Sequence, residues 1–296
     1  MMTVPIVFCI HDSNGQYWPN LAVAIESVLV NSSGRHAIHV LHNETMAQEA
    51  KETIQLIASS HGAKLHLTNI KLTEFLEKSN YGQFSPASIF RLAIPLLFKD
   101  EDQVVYLDSD LIFHGVDIND LISSGSNSAI CAVTDPYIGR SQAHRELLAD
   151  LSLDASSYFN SGVLVMRPKK MDSNLMDIFI SFYKNHPVLG HPDQDFLNFQ
   201  FKDNWSKLDT KFNHQACAFD RSLFKPVSSY WGKVIHYAGK VKPLQGFIAP
   251  AFIPFWMYAN VHVIEKATQV FDAAQLFILE PDPSNDDFVL GHQYKS

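Results

Sequence analysis

Hydrophobic and polar positions follow one another in blocks along this chain. Val4 to Ile10 is continuously apolar, as a strand buried on both faces would be. After a polar turn, Leu21, Ala24, Ile25, Val28 and Leu29 recur at helical spacing. "AIHVLH" predicts a second strand, "MAQEAKETIQLIASSHG" a helix closed near Gly62, and "AKLHLT" a third strand. "SPASIFRLAIPLLF" reads as a helix, with Ser85 as cap, Pro86 in the first turn and Pro95 ending or kinking it. It leads into "VVYLDSD". Further strands are expected at "AICAVTD" and "GVLVMRP", and helices near Arg140 to Asp150, Met171 to Asn185 and Asp193 to Phe201. From about Leu208 the pattern breaks into short aromatic-rich pieces that end in a strand, "KVIHYAG".

Strands that alternate with helices imply an α/β fold, a mainly parallel central sheet with helices on both faces. Residues 1–248 read as one domain. Residues 249–296 read as a C-terminal cap, Trp/Phe/Pro-rich at first, helix-like to about Phe277, with an acidic frayed tail.

Charge narrows the class of partner. The 296 residues carry a net charge of -8, which argues against holding nucleic acid or anionic lipid through broad electrostatics. An anionic ligand would need a local cation. Cys9, Cys131 and Cys217 are scattered, and the first two sit in apolar runs, so they read as free thiols in a reducing compartment. With no stretch approaching eighteen apolar residues and no basic leader, a cytoplasmic protein is expected, with peripheral contact at the inner face of the membrane left open. "FIAPAFIPFWMY" has the aromatic half of a membrane anchor, and packing against the domain is the competing reading. The pattern assigns no oligomeric state.

The chemistry concentrates in "VVYLDSDLIF". Asp108 and Asp110 interrupt an apolar run, where an ionised carboxylate is expensive unless paired or bound to a metal. In open α/β sheets ligands bind at the carboxyl ends of strands, and Asp108 falls where "QVVYL" gives out. Two hard oxygen ligands one residue apart suit Mn²⁺ or Mg²⁺, with substrate phosphates filling other positions. Turn residues after a strand are the competing reading, since D-x-D alone is a weak signal. Neither G-x-G-x-x-G after the first strand nor G-x-x-x-x-G-K-[ST] occurs, so any phosphate must be held another way.

In order along the chain, "LAVAIESVL", "SIFRL", "VVYLDSDLIF", "YFNSGVLVM", "DQDFLN", "KFNHQ" and "IHYAGKVKPL" resemble the retaining glycosyltransferases of family 8. That family has the nucleotide-diphospho-sugar transferase (GT-A) fold, includes bacterial lipopolysaccharide galactosyl- and glucosyltransferases, and is related to glycogenin. The resemblance covers roughly Thr3 to Leu244. It implies a single GT-A domain and a metal-dependent transfer of glucose or galactose from UDP-glucose or UDP-galactose to a glycan acceptor, such as lipopolysaccharide or another cell-surface polysaccharide.

Carried over residue by residue, Asp108 and Asp110 resemble the metal-chelating pair and His236 the third protein ligand, for Mn²⁺ or Mg²⁺. Gly239 and Lys242 resemble diphosphate contacts, and Arg91 a donor contact. Ser109 lies within the donor-binding triplet. Asp135 resembles a donor-sugar contact, and Asn160, Ser161 and Gly162 the turn beneath the sugar. Asp193 and Gln194 correspond to residues near the anomeric carbon, where the Gln194 carbonyl oxygen is expected to stabilise developing positive charge. The first loop departs from the family. "IHDSNGQYWPN" places His11 at an expected Asp, and Asp12, Asn14 or Tyr17 are the candidates for base recognition. Two other functions stay open on the residues: a sugar-nucleotide hydrolase, in which water replaces the acceptor, and a non-catalytic sugar-nucleotide-binding protein of the same fold.

Overall fold

The apolar runs become the strands of a seven-stranded sheet in the computed structural model, which describes residues 3–77, 79, 85–217, 222–239, 241–244, 247–266, 277–281 and 288–293. Strand β1 (Pro5–Ile10), helix α1 (Trp18–Val30), strand β2 (Ala37–His42), helix α2 (Gln48–Ser60) and strand β3 (Lys64–Asn69) form the first half. Strands β4 (Val104–Leu107), β5 (Leu111–His114), β6 (Ile130–Thr134), β7 (Phe159–Met166) and β8 (Trp205–Lys207) follow. The sheet order is β3-β2-β1-β4-β7-β6-β8, parallel except that β7 runs antiparallel to β4 and β6. This is the mainly parallel α/β sheet that the alternation implied.

Both faces of the sheet are packed. On β1, Ile6, Phe8 and Ile10 enter one core with α1 and α2 residues, while Val7 and Cys9 enter the other. Burying each such aliphatic or aromatic side chain stabilises by about 1.5–3 kcal/mol. The helices after α2 include α3 (Glu74–Glu77), α4 (Ala87–Phe90), α5 (Ile94–Leu97), α6 (Ile118–Ser124), α7 (Gln142–Asp150), α8 (Leu175–Asn185), α9 (Pro192–Phe201) and α10 (Ile253–Met257). Phe179 of α8 and Phe196 of α9 fill the second core, with ring centroids 5.3 Å apart.

Three sequence expectations need correction, and one further feature was not foreseen. The helix expected over "SPASIFRLAIPLLF" is broken into α4, a 3₁₀ turn over Arg91–Ala93 and α5. Pro95 has no N–H to continue the α pattern, and Ile94 N–H closes instead on Arg91 O. The "FNSG" turn is instead the start of β7, with a register shift against β6 between Ala132 and Thr134. "VVYLDSDLIF" is two strands in two sheets: after the Asp108–Asp110 turn, β5 joins a second sheet, ordered β5-β10-β9, with β9 (His214–Gln215) and β10 (Lys233–His236). In the tail, strand β11 (Phe247–Ile248) pairs with β12 (Phe277–Pro281), and β12 with β13 (Phe288–Gln293). The stretch read as helix is helical over residues 253–257 and 261–266, Phe277 begins β12, and residues 267–276 lie outside the described residues. Phe252 and Phe255 are buried in the first core, so the aromatic segment packs against the domain there, while Ile253 and Met257 stay exposed.

On the opposite flank, His39 of β2 stacks on its register partner His66 of β3, rings 4.5 Å apart, with Phe98 edge-on. Burial, and then the His66 charge, lower the His39 pKa from 6.5 to about 4. As pH falls from 6.5 toward 4 the unfolded chain takes up a proton that folded His39 refuses, so stability present above pH 6.5 is lost across that window. Replacing His39 with Gln is expected to flatten the fall in melting temperature between pH 6.5 and pH 4. An unchanged slope, relative to wild type, would show that His39 does not contribute it.

Candidate active site

The Asp108–Asp110 turn is held from three sides. Asp108 N–H donates to Gly162 O of β7 at 2.8 Å, Ser109 Oγ donates to Cys9 O of β1 at 2.6 Å, and Tyr237 N–H donates to Asp110 O at 3.0 Å. The antiparallel register of β10 on β5 pairs His236 with Leu111, the residue after Asp110. A turn and a strand end remote in sequence thus meet. Ligand atoms of Asp108, Asp110 and His236 all lie within 4.8 Å of one another. His236 Nε2 is 3.6 Å from Asp108 Oδ2 and 3.5 Å from Asp110 Oδ1.

This donor set fits a small divalent ion. Adjacent ligands around Mg²⁺, each at about 2.1 Å, sit on the order of 3 Å apart, close to the separations found. Space is reserved for these side chains. A Cβ on Gly162 would stand 2.4 Å from His236 Cε1 and 2.8 Å from Asp108 Oδ2, so only glycine lets β7 pass beneath the group. Its φ is not positive, so the need is for room and not for unusual dihedrals.

Two cations balance the carboxylates. Arg91, buried at the broken helix, donates from Nη2 to Asp108 Oδ1 at 2.9 Å, from Nη1 to Ser161 O at 2.6 Å, and lies 3.3 Å through Nε from Asp193 Oδ2. Its guanidinium also sits 4.4 Å from the centroid of Tyr106, whose hydroxyl donates to Asp108 Oδ1. Burial alone would lower the Arg91 pKa, but Asp108 and Asp193 hold it above its ordinary value. Lys242 pairs with Asp110 Oδ2 and donates to Tyr237 O. Burial would raise the Asp110 carboxyl, yet Lys242 and His236 hold it well below the usual range.

The other end of the site is a network of amides. Gln194 Oε1 accepts from Ser161 N–H at 2.9 Å and from Asn160 Nδ2 at 3.1 Å, while Gln194 Nε2 donates to Asp135 Oδ2 at 3.1 Å. The Gln194 carbonyl oxygen, expected to face developing charge, is thus engaged by the β7 strand. What Gln194 presents is its grip on Asp135. Asp135 Oδ1 accepts from Tyr137 N–H at 2.8 Å, and the carboxylate is partly exposed at the end of β6. Asp193 accepts from Ser161 Oγ at 3.1 Å. The last acid of "DQD", Asp195, is fully buried, accepts from Tyr158 Oη at 2.6 Å and His191 N–H at 2.8 Å, and burial pushes its carboxyl up.

A cleft of about 450 Å³ opens above the turn, lined by the first loop from Cys9 to Asn14, Tyr17, Ser85–Ser88, Arg91, Tyr106 and Asp108–Asp110. That size is in the range of small-molecule sites. The first loop is differentiated. Asp12 is buried and spends both oxygens on the leading amides of α1, accepting from Gln16 and Tyr17 N–H at 3.0 Å each and from Trp18 N–H at 2.9 Å. Asn14 is exposed and bonded to Gln16. Tyr17 lies against Asp110, and burial followed by that charge raises its phenol. His11 Nδ1 is buried with no hydrogen-bond partner among the described residues. Gly239 has φ +89° with open space where a Cβ would point.

Sequence reading missed Tyr106 and Asn213. Tyr106 looked like one more apolar strand residue, and its position two before Asp108, on the same strand face, is the signal that could have found it. Asn213 lies inside the quoted "KFNHQ" and bonds to His236 Nδ1 at 2.9 Å.

A family model described as glycosyl transferase family 8 matches residues 5–244. Glycosyltransferase GlyE of Streptococcus pneumoniae serotype 4 is 28% identical over 241 residues, 75% of this chain and 54% of that protein. Glycosyltransferase GlyA of the same organism is 25% identical over 167 residues, 54% of this chain and 22% of that protein. The chain thus spans about half, or less, of the length of these relatives. Galactosyltransferase LgtC, solved with donor and acceptor sugar analogues, superposes with a TM-score of 0.69 at 21% identity, over 90% of this chain and 96% of that one. The bifunctional WbbM gives a TM-score of 0.69 at 21% identity, over 90% of this chain and 51% of that one. The structural likenesses show a shared GT-A fold.

Proposed function

Since the chain belongs to glycosyl transferase family 8, we propose that it transfers a hexose, glucose or galactose, from a UDP-sugar to a glycan acceptor with retention of anomeric configuration. The acceptor class is lipopolysaccharide or another cell-surface polysaccharide. The observation that carries this reading is the convergence of Asp108, Asp110 and His236 beside the cleft. These three residues would hold Mn²⁺ or Mg²⁺, which offsets charge on a leaving diphosphate.

The chain's own groups do the rest. Lys242 brings a positive charge to the same carboxylate, beside the position of the diphosphate. Arg91 keeps Asp108 and Asp193 in place from beneath, and Gln194 with Asn160 orients Asp135 toward the sugar hydroxyls. In the transfer the bond from the anomeric carbon to the diphosphate oxygen breaks, the acceptor oxygen bonds to that carbon on the same face, and the acceptor proton passes to the leaving diphosphate. Residues 1–248 carry this chemistry, and residues 249–296 cap the domain. A cytoplasmic setting is supported by three buried free cysteines, and no helix among the described residues is long and apolar enough to cross a membrane.

The test is turnover of UDP-glucose and UDP-galactose with Mn²⁺, with and without acceptor glycans. UDP release that rises with acceptor, and a product keeping the donor's anomeric configuration by NMR, is expected. Free hexose released at a rate unaffected by acceptors would instead identify a hydrolase. Binding without turnover across donors and acceptors would identify a non-catalytic protein.

A further inference from the structure

The polar floor between Asp135 and the acid–imidazole group is a directional chain, and backbone N–H groups fix its direction. Gly162 N–H donates to Asn160 Oδ1 at 3.0 Å, which identifies that atom as the amide oxygen. Asn213 meets the same oxygen at 2.8 Å and must offer its Nδ2 there. Its own Oδ1 is thereby turned to His236, 2.9 Å from Nδ1. An amide oxygen only accepts, so Nδ1 carries the proton. In the neutral ring the lone pair is then on Nε2, the nitrogen that faces Asp108 Oδ2 and Asp110 Oδ1. A lone pair set against two carboxylates is favourable only when a cation, a proton or a divalent ion, lies among them.

From this arrangement we infer that Asn213 is a positioning residue for the metal site: it fixes the tautomer and ring orientation of His236 so that Nε2 is the ligating atom. The inference rests on the reading of Asp108, Asp110 and His236 as metal ligands. Asn213 is 3% exposed, and it is the last residue of a 3₁₀ turn, Thr210–Asn213, packed against β10. It touches His236 on the side away from the carboxylates and acts through that ring. The chain also ties the ring to the sugar end, because Asn160 bonds at once to Asn213, Asp135 and Gln194.

A buried Asn that merely satisfies neighbouring polar groups would have the same contacts, and two variants separate the roles. Asn213→Leu keeps the shape and removes the acceptor. Asn213→Asp keeps an acceptor for the Nδ1 proton and replaces the donor to Asn160 Oδ1 with a carboxylate oxygen, while that amide oxygen retains Gly162 N–H. Calorimetric titration with Mn²⁺ alone is expected to give an affinity about 10–100-fold weaker for Asn213→Leu, and within about threefold of wild type for Asn213→Asp. Asn213→Ala carries the same expectation as Asn213→Leu should the latter fail to fold. Wild-type affinity in a folded Asn213→Leu or Asn213→Ala, or equal losses in the Asp and apolar variants, would overturn the inference. Wild type and Asp110→Asn are titrated alongside. A wild type that takes up no Mn²⁺ would remove the metal reading itself, whereas normal wild-type binding with an unaffected apolar variant removes only the role of Asn213.

Discussion

Asp110→Asn is expected to lower metal-dependent sugar transfer by more than about 100-fold, beyond the upper end for loss of a group that only supports a ligand. The change preserves shape and removes one charge from a group in which Asp110 faces both His236 and Lys242. It also leaves the Lys242 ammonium without its carboxylate. Removing one partner of a buried pair costs roughly 3–5 kcal/mol, and Lys242 is near enough to solvent to recover part of that, so destabilisation below about 3 kcal/mol is expected. Activity and stability are therefore measured together. A folded variant that keeps full metal-dependent turnover would contradict the assignment of Asp110 as a ligand.

Gly162→Ala should be nearly as damaging to function while touching no charge. Its added methyl would fall 2.4 Å from His236 Cε1 and 2.8 Å from both Asp108 Oδ2 and His236 Nδ1. His236 cannot easily retreat, because its strand is paired with β5 and β9 and its ring is bonded to Asn213. The overpacking is expected to cost about 1–3 kcal/mol and to push the ring away from the carboxylates. Loss of Mn²⁺ affinity by about 10-fold or more, with a cooperative melt retained, is the expected result. Unaltered Mn²⁺ affinity would show that the site has slack the geometry does not suggest.

Asp108 and Asp110 were legible because carboxylates are conspicuous in an apolar run at a strand end. The alternation of strands and helices likewise predicted the mainly parallel sheet. What could not be read was how the chain leaves that sheet. The run "LIF" after Asp110 continues the apolar pattern without a break, yet it starts β5 in a second sheet whose register brings His236 alongside. Pairing between segments 119 to 125 positions apart leaves no local periodicity to detect.

Residues of "FNSG" failed for another reason. Asn, Ser and Gly are turn formers, and here tertiary demands override that preference: the amides serve the hydrogen-bond floor, and the glycine makes room for His236. Asp12 shows the reverse case, a conspicuous acid in the cleft wall whose oxygens hold the start of α1. Composition cannot distinguish a carboxylate that meets a ligand from one that meets backbone amides.

The measurement that bears most directly on the metal-held diphosphate is a calorimetric titration of UDP into the protein, in Mn²⁺ and again in chelator. Micromolar binding in Mn²⁺ that weakens at least about 10-fold in chelator, with the difference abolished in Asp110→Asn, is the result this account expects. Equal affinity in both solutions, or no binding in either, would contradict it.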